Sequence, residues 1–432
     1  MNTLHDATYT CQTVSVSVPA TSANLGPGFD TLGLALDYRD HATFTLLNSQ
    51  NPADVQVIIE GEGAQSLPTD ASHLVIRAFY QACDALGLPK RAVRLEAHNT
   101  IPQSRGLGSS AEAIVTGVTA AAAFAGLTGE QAKDFIFELA ARIEGHPDNV
   151  APAVYGALTA SWVTGDASEQ HYHTVRYPVR AAIHAWVIIP DYQLSTKAAR
   201  EALPHDVPRA DALLNVSRAT LLPAALVDGI AYTSTIGAGI STTGAKPTGA
   251  CDSPAAQQQS ETTNIEGGQA ETASVDDGQA GIVQTNAVQA HRSQTTAVQT
   301  NAAQTALPGQ DLLLAATEDT LHQRYRSSLM QPSWDVMQAL RQAGFASTIS
   351  GAGPCVLVLF NSTDNAEITD GAEIADNAVI AVDTNSSVDA QVDEADRRIR
   401  AIIEPWLHNS EWRVIHPAID EHGVMWQCTK EA

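Results

Sequence analysis

The chain has 432 residues, enough for two hydrophobic cores, and two domains are the expectation from length. Its 24 basic and 48 acidic residues leave a formal charge of −24, which argues against nucleic acid or an anionic membrane surface as a partner. Ten carboxylates and no Lys or Arg lie in residues 361–396, and six against two basic groups in 235–310, so 14 of the 24 excess charges belong to two segments and say little about a site.

Cysteines 11, 83, 251, 355 and 428 are widely spaced and odd in number, which suggests neither a disulfide framework nor a zinc site and fits a reducing cytosol. The first eleven residues lack the basic cluster and apolar core of a signal peptide, and no run of 18 apolar residues occurs, so a cytoplasmic protein is expected.

In chain order, Val14, Val16 and Val18 alternate with Thr13, Ser15 and Ser17, the period of a half-buried strand. After Pro19, the stretch from Ala20 to Asp30 concentrates amide, hydroxyl and carboxylate groups among turn formers and reads as a loop. Strand-like runs follow at 42–47, 54–60 and 92–98. Between the last two, Leu74, Val75, Ala78, Phe79, Ala82 and Leu86 make a helical stripe that Gly87 and Pro89 stop. Strands and helices mix without a regular βαβ repeat, which predicts an α+β fold.

Pro102-Gln103-Ser104-Arg105-Gly106-Leu107-Gly108-Ser109-Ser110-Ala111 follows a strand and opens a helix whose apolar face is Ile114, Val115, Val118, Ala121, Ala122 and Phe124. Glycines at 106 and 108 can turn successive N–H groups inward to make an anion nest. Ser109 and Ser110 then occupy a first helical turn, where unpaired N–H groups and the helix dipole favour phosphate and the hydroxyls can serve phosphate or magnesium. The same ten residues would also suit an ordinary strand-to-helix turn. They lack the Lys-Ser/Thr ending of a P-loop and the third glycine of the dinucleotide fingerprint.

Thr128-Gly129-Glu130-Gln131 predicts a capping box for a helix with Phe135, Ile136, Leu139, Ala140 and Ile143 inside. That helix runs into Glu144-Gly145-His146-Pro147-Asp148-Asn149-Val150-Ala151-Pro152, whose polar cluster makes it the best place for metal and substrate contacts. A strand at 183–189 leads to Ser195-Thr196-Lys197-Ala198-Ala199-Arg200. Helical patterns follow at about 209–227, 311–321 and 333–343. They are interrupted from 237 to 308 by a Gln, Thr, Ala and Gly-rich insertion too poor in apolar groups to offset its ordering entropy. Ser350-Gly351-Ala352-Gly353-Pro354 precedes a buried-strand run at 355–360. An acidic loop at 361–390, a helix at 391–404 and a strand near 412–416 complete the reading.

Four motifs, Pro19 to Asp30, Pro102 to Ala111, Gly145 to Pro152 and Ser350 to Pro354, together resemble the galactokinase, homoserine kinase, mevalonate kinase and phosphomevalonate kinase superfamily. The Thr21 to Asp30 and His146 to Pro152 motifs are similar to those of homoserine kinases. The resemblance implies an ATP- and magnesium-dependent transfer of phosphate to the side-chain hydroxyl of L-homoserine, a step in threonine biosynthesis. It also implies an N-terminal ATP-binding domain (1–175) like the second domain of ribosomal protein S5, and a ferredoxin-like C-terminal domain (176–432). A homodimer is the assembly considered.

The resemblance assigns roles residue by residue. The loop Pro102, Gln103, Ser104, Arg105, Gly106, Leu107, Gly108, Ser109, Ser110 and Ala111, with Glu112 after it, would hold ATP. Asn24, Asp30 and His146 would hold the amino acid with Asp148 beside them, and Arg200 and Arg326 would clamp its carboxylate through paired N–H groups. Thr196 would line the same pocket. Ser109 or Ser110 would bind the metal with Glu144, or with Glu138 if the spacing differs. Glu112 stands where alanine or serine is common and must face away from phosphate, or the loop binds less tightly, and His73 stands where asparagine is frequent near adenine. Asn149 occupies the place where several relatives use an aspartate base, so the expected mechanism has no enzyme base. The rival readings are a kinase of another alcohol in the same superfamily, or an inactive binding protein working through its insertion.

Overall fold

The computed structural model describes residues 8–49, 51–166, 169–227, 308–362, 387–408 and 411–430. Apart from their outermost residues, the expected insertion at 237–308 and the acidic loop at 361–390 lie outside the described residues.

The chain begins with two long antiparallel strands, β1 (Thr13–Asn24) and β2 (Gly28–Leu46), then β3 (Gln56–Gly61), helix α1 (Leu74–Leu86) and β4 (Val93–Asn99). Residues 20–30, expected as a loop, are mostly strand. Thr21, Ser22 and Ala23 pair with Ala35, Leu34 and Gly33, and the reversal is confined to the residues around Leu25 and Gly26. The turn formers misled because Asn24 and Leu25 take positive φ (70° and 48°), which compresses the reversal into a tight turn between paired strands.

Helices α2 (Ser109–Phe124), α3 (Gly129–Glu144) and α4 (Val150–Tyr155) follow, then the hairpin β5 (Leu158–Thr164) and β6 (His171–Tyr177). The first sheet runs β11-β1-β2-β4-β3, with β5 and β6 continuing from β2, and β11 is the C-terminal strand Met425–Thr429. α2 is apolar on nearly every side because α1, α3, α4 and the sheet all press on it, and its many alanines let those neighbours approach closely. Its face is therefore broader than the six apolar positions read from the sequence.

The second sheet is antiparallel, in the order β10-β7-β9-β8, from β7 (Ile183–Ile189), β8 (Ala346–Ile349), β9 (Val356–Asn361) and β10 (Arg413–Ile415). Its helices are α5 (Thr196–Glu201), α6 (Arg209–Leu226), α7 (Pro308–Ala316), α8 (Gln323–Arg326), α9 (Gln331–Gln342) and α10 (Val388–Leu407). Alternation on β7 sends Trp186 and Ile188 into one core with Val336, Leu340, Ile399 and Ile403 of α9 and α10. Ala185, Val187 and Ile189 enter another core with Leu222 and Leu313 of α6 and α7 and with Leu25, Leu34 and Leu107 from the first sheet and its loop. Both faces of β9 are covered, which is why it reads as a continuous apolar run. The α+β expectation holds.

The candidate active site

A cleft of about 310 Å³ opens where the 102–111 loop, the end of α3 and the 351–353 turn meet Asn24, Asp30 and the start of α5. Its walls bring together Asn24, Asp30, Ser104, Gly106, Gly108, Ser109, Ser110, Glu144, His146, Asp148, Asn149, Thr196, Arg200 and Arg326, residues more than 300 positions apart in the chain.

One wall is the loop and the N-terminus of α2. Gly106 and Gly108 have φ of 80° and 71°, and Ser104 joins them at 56°. A Cβ on Gly106 would collide with the Ser350 carbonyl, and one on Gly108 with the Thr21 hydroxyl, so glycine is needed for close approach as well as for conformation. Gly108 is the cap residue and no side chain caps the helix, so the first-turn N–H groups are left to the cleft. The loop is pinned from behind. Thr21 N–H donates to Leu107 O (3.2 Å), Leu194 N–H to Ser104 O (2.9 Å) and Cys355 N–H to Arg105 O (3.1 Å), while the Ser350 hydroxyl donates to Gly106 O (2.5 Å).

Not every loop residue reaches the cleft. Arg105, expected at phosphate, instead donates to the carbonyls of Pro190 (2.9 Å), Asp191 (3.0 Å) and Gln103 (3.3 Å), bracing the loop against the end of β7. Leu107 and Ala111 are core residues, and Pro102 and Gln103 stand outside the lining. Glu112, expected to contact ATP or else to face away, faces away. It accepts from the Thr116 hydroxyl at 2.7 Å, and burial, with the charge of Asp40 second, holds its carboxyl well above the usual range.

The opposite wall is acidic and basic in turn. The Ser110 hydroxyl donates to Glu144 Oε2 at 2.7 Å, and burial raises the Glu144 carboxyl although Ser110 and His146 pull the other way. Glu138 lies nearly two helical turns back, half-buried and paired with Arg142. His146 Nδ1 meets Asp148 Oδ1 at 2.7 Å, and its Nε2 is 3.9 Å from Glu144 Oε1. Burial alone would lower the imidazole, but the Asp148 hydrogen bond and the two carboxylates outweigh it, so its pKa is raised. Asn149 Oδ1 accepts from the Thr21 hydroxyl (2.8 Å), and the Asn149 N–H donates to Asp148 Oδ1 (3.0 Å).

Arg200 and Asp30 form a two-pronged ion pair, 2.9 Å on each prong. The buried Asn24 fixes that end of the cleft, donating to Gly351 O (2.8 Å) and accepting from Asp30 N–H (3.0 Å). Arg326 is 2% exposed, and its hydrogen bonds go to Ala199 O (2.9 Å) and His322 Nδ1 (3.2 Å), neither a counter-ion. Burial, and after it the charge of Arg200, lowers its pKa to about 10. Leu194 and the Gly351, Ala352 and Gly353 backbone also line the cleft without having been assigned to it. The Ser350 to Pro354 motif signalled the turn, but its backbone role shows only in the fold.

Comparison with known proteins gives the same picture. The family models "GHMP kinases N terminal domain" and "GHMP kinases C terminal" match residues 73–157 and 303–371. A homoserine kinase of Clavibacter michiganensis is 35% identical over 356 residues, 82% of this chain and 85% of its own. One from Corynebacterium diphtheriae is 32% identical over 383 residues, 88% of this chain and 96% of its own. The crystal structure of a homoserine kinase from Cytophaga hutchinsonii superposes with a TM-score of 0.61 at 20% identity, over 99% of both chains, and so shares the fold. With two family models and full-length relatives in agreement, the chain belongs to the homoserine kinase family of the GHMP kinases.

Proposed function

We propose that the protein transfers the γ-phosphoryl group of ATP to the side-chain hydroxyl of L-homoserine. The observation that carries the reading is the charge pattern of the wall facing the phosphate loop. Asp30 and Arg200 neutralise one another, and an amino acid's ammonium and carboxylate can take their places in exchange. Arg326, buried against the Phe29 ring with no ion pair among the described residues, favours a carboxylate more strongly still, since a buried charge without a direct counter-ion is costly until a ligand supplies one. A mevalonate- or sugar-kinase site would have no use for an ammonium-binding aspartate.

The loop N–H groups and the first turn of α2 would receive the ATP phosphates. Ser110 and Glu144 are hard oxygen donors and suit Mg²⁺, which favours one or two protein ligands with the remainder from phosphate and water. When bound, the ion would neutralise charge on the β- and γ-phosphates. Thr196 and His146 flank the amino acid, and the Asn149 amide orients the attacking hydroxyl. Asn149 cannot accept the proton, so in this reading it passes to a γ-phosphate oxygen. The loose transition state of phosphoryl transfer tolerates that. The domain division is taken at about residue 175.

A coupled assay with ATP against L-homoserine, L-serine, mevalonate and galactose should show turnover with homoserine alone. Arg326→Ala should raise the KM for homoserine by roughly 10- to 100-fold, the size of a lost charge-assisted bond, and leave the KM for ATP unchanged. Turnover restricted to an alcohol without an amino group would overturn the assignment.

A further inference from the structure

The reaction uses no cysteine, yet two cysteines from opposite ends of the chain meet at the far end of the helix that carries the phosphate loop. Cys11 is buried just ahead of β1, and Cys428 is exposed on the sheet-edge strand β11. The β1–β11 register sets Cys428 opposite the buried Val14, so its side chain emerges on the face that α2 covers. There the Cys428 Sγ lies 3.4 Å from the Ala123 carbonyl. Thr10, next to Cys11, is tied to the same turn: its N–H donates to Phe124 O (2.8 Å) and its hydroxyl contacts Phe124 O (3.1 Å) and Ala123 O (3.4 Å). Gln12 on the other side donates its N–H to Thr429 O at 3.3 Å. The two thiols are thus held beside one carbonyl cluster, Cys428 by its own contact and Cys11 through the Thr10 and Gln12 that flank it.

We propose that Cys11 and Cys428 form a reversible intramolecular disulfide that staples the N-terminal and C-terminal strands of the first sheet together under oxidising conditions. The oxidant is a low-molecular-weight disulfide such as oxidised glutathione. The exposed Cys428 thiolate attacks one of its sulfurs, giving a mixed disulfide and one glutathione thiolate. Cys11, after losing its proton, attacks the Cys428 sulfur, and the second glutathione leaves as thiolate. Two protein thiols are oxidised and one small disulfide becomes two thiols. Access sets this order. Burial, with the Cys428 hydrogen bond second, pushes the Cys11 thiol up to about 12, so its attack is the slower step and should quicken about tenfold per pH unit.

The test treats the full-length protein with oxidised glutathione at pH 7 and 8.5, blocks free thiols after unfolding and maps the peptides by mass spectrometry. A Cys11–Cys428 peptide should appear faster at the higher pH and disappear with dithiothreitol. Hydrogen exchange across residues 425–429 should slow in the oxidised form, since a five-residue edge strand is otherwise free to fray. Cys11→Ala should stop at a glutathione adduct on Cys428, and Cys428→Ser should give no linked product. The proposal is overturned if wild-type protein keeps the adduct with Cys11 still free, if Cys428 links to Cys251 or to a second chain, or if neither thiol reacts.

Discussion

In the mechanism we propose, Asn149 meets the attacking hydroxyl, and its surroundings bear on how an amide would serve there. The Thr21 hydroxyl occupies the Asn149 carbonyl oxygen, and Asp148 Oδ1 is taken by His146 and the Asn149 backbone. The amide orientation is therefore set before substrate arrives: its NH₂ makes one long bond to Asp148 Oδ1 (3.4 Å) and keeps its second hydrogen to meet a hydroxyl oxygen. Asn149→Ala should lower kcat by about 100-fold, the effect of misplacing a reacting group, with homoserine affinity changed far less. Asn149→Asp should bring no gain over wild type. Single-turnover kinetics beside calorimetric binding separates the cases, and a faster Asp variant would mean that a base had been missing.

The phosphate loop and α2 act as one element. The loop is tied by backbone bonds to β1, to Leu194 and to Cys355, so its conformation belongs to both sheets at once. Gly108→Ala adds a methyl against Thr21 at a positive φ and also disturbs the residue that orients Asn149. We expect nucleotide affinity to fall at least roughly tenfold, about 1.4 kcal/mol. Gly87→Ala is the matched control: φ is 67° and nothing lies within 4 Å of the added methyl. It carries the same left-handed penalty of about 1–2 kcal/mol and should lower Tm without touching nucleotide binding. Equal losses of affinity in both variants would mean that the loop senses only global stability.

At the scale of the molecule, the segment between α6 and α7 interrupts two helices that share one core. Arg180 donates to the Val227 carbonyl (2.8 Å), and Gln310, near the start of α7, bonds Asn361 N–H (3.0 Å) and Leu359 O (3.4 Å). Helix α7 begins at Pro308, three residues before the periodicity from 311 suggests, so a deletion should end ahead of it. Joining Ile236 to Leu307 through a short flexible linker should leave kcat/KM within a few-fold. Closure entropy varies slowly with length, about 0.6 kcal/mol per doubling. Insoluble or inactive protein would show that the removed residues contribute to the fold.

Periodicity and local chemistry were enough to place the long helices, the strands at 183–189 and 355–360, and the loop with its two glycines, because each is dictated by nearest neighbours along the chain. The four motifs were legible for the same reason, and they carried the family. The hairpin 158–177 and the strand 425–429 escaped because their sides are partly exposed and their pairing is with distant strands. Which loop residues face the cleft was also beyond the sequence. Arg105 and Glu112 read as phosphate-site charges, but carbonyls 85 residues away claim the first, and burial, with the nearby Asp40 of β2 second, raises the carboxyl of the second. So too with Asp30 and Arg200, 170 residues apart, and with the thiols of Cys11 and Cys428. Composition and spacing are local quantities, whereas burial, ion pairing and thiol proximity depend on what the folded chain brings to the same place.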